Sequence, residues 1–132
     1  MDITPKRFEN LSVLLIDNFF TSQELQEVQK EIKDLNRFLS GAETTSTAVD
    51  ENKKYKKTGT GVFLDPLYDK NREASAILQA NRKLFSEEFV SVAENFDSIF
   101  GFIRESNQDT TLLNSYVEGQ EYKAHVDTNR VS

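Results

Sequence analysis

The chain has 132 residues, no cysteine and a net charge of −6, with a sequence pI of about 4.8. That length suits one domain with one core. The acidic balance argues against a surface built to hold nucleic acid nonspecifically. The lack of cysteine excludes a disulfide framework, a thiolate metal site and a cysteine nucleophile.

Ten phenylalanines and a 37% hydrophobic share are enough for a globular core. The first residues lack the apolar stretch of a signal peptide, and the longest aliphatic run, residues 13–16, falls far short of a membrane span. The expectation is a soluble, cytoplasmic protein with no membrane partner.

Residues 1–11 read as a lead-in and 12–17 as a short strand, carried by Asn18, Phe19 and Phe20 into a helix. Thr21 followed by Glu24 fits a capping box. Behind it Leu25, Val28, Ile32, Leu35 and Leu39 recur at helical spacing, predicting a helix over 22–38. Residues 41–60 turn polar and include Lys53, Lys54, Tyr55, Lys56 and Lys57. Lysine beside an aromatic is a single-strand-binding combination. A solvated loop fits better beside the neighbouring acids, so nucleic acid is not expected. In an enzyme such a loop would be a lid over the substrate mouth.

Residues 58–64 predict a second strand, ended by Asp65 and Pro66. Gly59 and Gly61 within it are not followed by the lysine and hydroxyl residue of a phosphate loop. Helices are expected over 72–85, with Ala74, Ile77, Leu78 and Leu84 inward, and over 87–96, with Val90, Ala93 and Phe96 inward. Residues 98–104 fit either helix or strand, their large apolar side chains reading as core. The order of elements gives an α+β fold, helices against a largely antiparallel sheet.

The end of the chain carries the candidate chemistry. Residues 111–117 read as a strand, 118–121 as a glycine-containing turn and 122–127 as a returning strand. At period two, Tyr122, Ala124 and Val126 share an apolar, packing face. Lys123, His125 and Asp127 share the other, where the only histidine and a carboxylate can grip one ion.

The ordered set Tyr116, Gly119, Tyr122, His125 and Asp127 resembles the iron(II)- and 2-oxoglutarate-dependent dioxygenases, most closely the prolyl 4-hydroxylase-like group. The strand, the turn at Asn18 to Phe20 and the capped helix also resemble how that group begins. The resemblance implies Fe(II) on His125 and Asp127, and 2-oxoglutarate against Tyr116, with Tyr122 and Asn114 as further candidates for that cofactor and ascorbate as an accessory reductant. The implied fold is the N-terminal part of a double-stranded β-helix, or jelly roll, with supporting helices and an incomplete core. The whole of 1–132 would be one truncated oxygenase-like domain.

The implied reaction is oxidative decarboxylation of 2-oxoglutarate coupled to hydroxylation of a protein, peptide or small-molecule substrate, peptidyl proline being the group's best-known target. The family pattern also calls for a later histidine and an arginine or lysine for the distal carboxylate of 2-oxoglutarate. Neither is among these residues, and Arg130 lies too near Asp127 for that role. The isolated chain is therefore expected to be inactive, and three explanations are open: a fragment of a longer protein, a split half completed by another chain, or a shortened relative that only binds. The alternative is a noncatalytic acidic interaction module, or a degenerate oxygenase-like fragment, whose Lys53 to Lys57 loop meets an acidic partner.

Overall fold

The computed structural model describes residues 1–41, 58–106 and 109–124. β1 (Asp2–Phe8) and β2 (Leu11–Asp17) form an antiparallel ribbon in which Ile3 faces Ile16 and Phe8 faces Leu11. The lead-in expected over 1–11 is thus a strand. Six of its seven residues are exposed, so it lacks the apolar alternation that marks a half-buried strand. Glu9 takes φ 53° to close the two-residue turn.

α1 (Ser22–Leu35) opens on the predicted capping box. The Glu24 N–H donates to Thr21 Oγ1 at 3.1 Å, and the Thr21 N–H donates to Glu24 Oε1 at 3.0 Å. A 3-10 turn, Asn36–Phe38, tightens its end. The buried face is Val28, Glu31 and Leu35, while Leu25 and Ile32 are each 42% exposed. Val28 and Leu35 of the predicted stripe thus face the core, but Glu31 takes a buried place beside them where Leu25 and Ile32 do not, and the cause is polar. Ser75 Oγ donates to Glu31 Oε2 at 2.7 Å, and the Ile77 N–H donates to Glu31 Oε1 at 3.2 Å. Those two groups open another helix, and buried donors require an acceptor.

β3 (Ser40–Gly41), β4 (Thr60–Phe63) and β5 (Leu112–Ser115) form a second antiparallel sheet with β4 in the centre. Leu64, fully buried, starts the single-turn α2 (Leu64–Leu67). The helix predicted over 72–85 is divided into a 3-10 turn (Arg72–Ala74), α3 (Ala76–Asn81) and a further 3-10 turn (Arg82–Phe85). The break falls at Ser75, whose extended backbone lets its hydroxyl accept from the Leu78 N–H. Ile77 and Leu78 are buried as expected, whereas Ala74 is exposed.

α4 (Glu87–Phe96) has the predicted bounds. Residues 98–104 are helical, as a 3-10 turn (Ser98–Gly101) running into α5 (Phe102–Glu105). Phe100 and Ile103 pack inward, but Ile99 and Phe102 are 67% and 61% exposed, against the expectation of core. The inward pair and the outward pair are each three residues apart, the spacing of a helix that lays one face on the core.

Two apolar clusters hold these parts. Val28, Leu35, Leu64, Ile77 and Leu78 gather Val62 and Leu113 from the three-stranded sheet. Phe89, Val90 and Ala93 gather Ile3, Leu14 and Ile16 from the β1–β2 ribbon. The fold is mixed α and β with small antiparallel sheets, and among the described residues no barrel closes. Among those residues, too, no helix is long and apolar enough to cross a membrane.

Candidate functional site

β5 alternates half-buried and exposed positions. Leu113 packs into the first cluster with its cross-strand partner Val62. Leu112 and Asn114 point the other way, opposite Phe63 and Gly61. Tyr116 continues that face, 42% exposed. The sheet therefore presents an open side carrying two of the predicted cofactor residues, Asn114 and Tyr116, beside the apolar Phe63 and Leu112.

The predicted turn follows. Gly119 takes φ +88°, the left-handed region that glycine enters without steric cost. The Gln120 N–H donates to the Val117 carbonyl at 3.0 Å, and the Val117 N–H donates to Gln120 Oε1 at 2.9 Å. Beyond the turn the chain departs from the expected hairpin. The Thr58 N–H donates to the Glu121 carbonyl at 2.8 Å, and the Glu121 N–H donates to Thr58 Oγ1 at 2.7 Å.

This capture by Thr58 leaves Tyr122 as a single bridge residue, not part of a continuous strand. Tyr122 is 48% exposed, and Ala124 is exposed while Lys123 is half-buried. The predicted packing face is thus the outward one over 122–124. His125 and Asp127 lie outside the described residues, as do Arg130 and the Lys53 to Lys57 segment. Among the described residues no group of three or more histidines or carboxylates could hold a metal ion.

The remaining polar clusters join elements together. Arg72 pairs with Asp65 at 2.8 Å and with Asp109 at 3.2 Å, and Asp65 also accepts from the Thr111 N–H at 2.7 Å. Burial works to raise the Asp65 pKa, but the Arg72 guanidinium and the Thr111 N–H outweigh it and hold the carboxyl below its usual range. Lys83 donates to Glu24 at 2.6 Å. That bond and the Thr21 N–H lower the Glu24 pKa to about 2. Arg104 clasps Glu87 and Glu94, fastening α5 to α4. Lys83 and Glu24 match one to one, while Arg72 and Arg104 each serve two carboxylates.

Gly59 was placed from sequence in the strand over 58–64 but not against Tyr116. A side chain there would collide with the Tyr116 ring, and the signal was a strand glycine two residues from a second one.

No family model, curated protein or solved structure matches the chain.

Proposed function

We propose that the chain carries the metal-binding end of an Fe(II)- and 2-oxoglutarate-dependent hydroxylase, its strands belonging to a double-stranded β-helix. The observation that carries this reading is the ordered set Tyr116, Gly119, Tyr122, His125 and Asp127. Two structural features support it. Gly119 makes the positive-φ turn that the set requires, and Tyr116 and Asn114 stand on one open sheet face immediately before it.

The donor set fits the ion chemically. A neutral imidazole and a carboxylate are the ligand types used by nonhaem Fe(II), with open positions left for small molecules. His125 and Asp127 would hold the metal. The Tyr116 hydroxyl and the Asn114 amide would donate to a carboxylate of 2-oxoglutarate, and Phe63 and Leu112 would exclude water beside it. When bound, the iron and 2-oxoglutarate supply the oxidising power: one O2 is consumed, 2-oxoglutarate leaves as succinate and CO2, and a substrate C–H becomes C–OH. The chain contains one histidine, so the second histidine of the family pattern would come from outside these 132 residues, including from another chain, as would the arginine or lysine that the pattern places beyond it. The substrate is a protein, peptide or small molecule, with peptidyl proline the first to try.

The test is metal-dependent succinate formation from 2-oxoglutarate by the protein as its gene encodes it. His125→Ala and Asp127→Asn should each abolish it and weaken Mn(II) binding by at least about tenfold. No succinate from the parent protein, with Mn(II) affinity unmoved by His125→Ala, would leave the noncatalytic interaction module as the better account.

A further inference from the structure

Gly59 and Tyr116 face each other across β4 and β5. The register that sets Thr60 against Ser115 and Gly61 against Asn114 continues by one step to bring them opposite. Gly59 is buried, and the phenol ring lies on it. A Cβ at this position would fall 2.6 Å from both Cδ1 and Cε1 of Tyr116 and 2.7 Å from the Ser115 carbonyl oxygen. Carbon atoms in contact sit about 3.5–4.0 Å apart. Because the clash involves backbone as well as ring, turning Tyr116 alone does not relieve it. Gly119 needs its positive φ and has open space around it. Gly59 is not among the positive-φ residues, and it is space that excludes a side chain there.

We infer that Gly59 is a positioning residue that seats the Tyr116 ring and so aims its hydroxyl at the small anionic co-substrate, a keto dicarboxylate, on the open sheet face. The inference rests on the function proposed above. An aromatic ring over a strand glycine is by itself a way to stabilise a sheet. The neighbouring pair extends the arrangement beyond packing, since Gly61 stands opposite Asn114. Opposite both cofactor candidates the chain along β4 carries a residue with no side chain, Gly59 under the Tyr116 ring and Gly61 across from Asn114. The Tyr116 ring covers Gly59, so the bare backbone on which a flat ligand can approach the strand is at Gly61, opposite Asn114.

The test is a double-mutant cycle on affinity for 2-oxoglutarate, read by calorimetry with Zn(II) as a redox-inert ion, in the protein as its gene encodes it. The four forms are wild type, Gly59→Ala, Tyr116→Phe and the double variant. Tyr116→Phe keeps the ring on Gly59 and removes only the hydroxyl. Each single change should weaken binding by about tenfold, the scale of one hydrogen bond to a charged group. The double variant should bind no worse than Tyr116→Phe, because a displaced ring has no hydroxyl left to lose.

Either single variant binding like wild type, or losses that add, overturns the inference and leaves the proposed function standing. A wild type that does not bind 2-oxoglutarate overturns the proposed function, and the inference with it. Should Gly59→Ala not fold, the wild type gives the answer by NMR. The Gly59 Hα signals, shielded by the ring, should shift with the Tyr116 ring signals when 2-oxoglutarate is added to the Zn(II) form. Gly59 signals that stay fixed while those of Tyr116 move would overturn the inference.

Discussion

Glu31 is the carboxylate that the fold treats as an interior group. It is 8% exposed, and it accepts from the Ser75 hydroxyl and the Ile77 N–H. The hydroxyl in turn accepts from the Leu78 N–H at 3.1 Å. One carboxylate thus completes the start of α3, and removing it strands donors where water does not reach. Glu31→Ala should lower stability by about 2 kcal/mol, and Ser75→Ala by about 1 kcal/mol. Because they share one network, the double variant should lose less than the sum of the two. Urea unfolding with an unchanged slope is the measurement, and a Glu31→Ala midpoint equal to wild type would contradict the account. None of this was visible in sequence. Glu31 sits among polar helix residues, and Ser75 is 44 positions away, whereas the Thr21 and Glu24 cap, three positions apart, could be read directly.

At the scale of elements, the β1–β2 ribbon is fastened to the end of α4 through Asp97. Ser12 donates to Asp97 at 2.5 Å, Arg7 pairs with the same carboxylate at 3.5 Å, and the Arg7 guanidinium lies 5.0 Å from the centre of the Phe96 ring. Asp97 also accepts from the Ile99 N–H at 3.1 Å, so the same side chain starts the next turn. A two-stranded ribbon is marginal by itself. Asp97→Ala should therefore speed amide exchange in β1 and β2 by about tenfold while exchange in α3 stays unchanged. Equal acceleration throughout would mean that the ribbon does not open separately. α4 was legible because its apolar spacing and its bounds all lie within ten residues. β1 was not legible, since Ile3 is the one residue of its seven that is not exposed and its pairing with β2 is made by backbone. The candidate site divides in the same way. Tyr116 and the Gly119 turn follow local rules, but the orientation of 122–124 is imposed by Thr58.

Over the whole molecule, the two apolar clusters are small and ion pairs link their margins. Glu24, Asp65, Glu87 and Asp97 all have pKa values held below their ordinary range. The Glu24 shift comes chiefly from Lys83, that of Glu87 from Arg104 and that of Asp97 from Ser12, while at Asp65 the Arg72 and Thr111 bonds outweigh burial. A group depressed in the folded state adds stability above its unfolded pKa and loses it as protons bind the folded form. Stability should therefore be level through neutral pH and decline as pH falls from the ordinary glutamate value of 4.5 towards the Glu24 value of about 2. Lys83→Met should flatten that decline, because it returns Glu24 towards its ordinary titration. Thermal melts over a pH series read both, and a decline left unchanged by Lys83→Met would contradict the assignment to Glu24.

The pairing of Thr58 with Glu121 spans 63 positions of chain, while β1 meets β2 across two. Distant pairings cost loop-closure entropy before they return any contact energy. The β1–β2 turn and the α1 cap are local and can form as soon as they leave the ribosome, but the sheet bearing Asn114 and Tyr116 must wait until nearly all of these residues have been made. A nascent chain would therefore close its local turns first and its second sheet last.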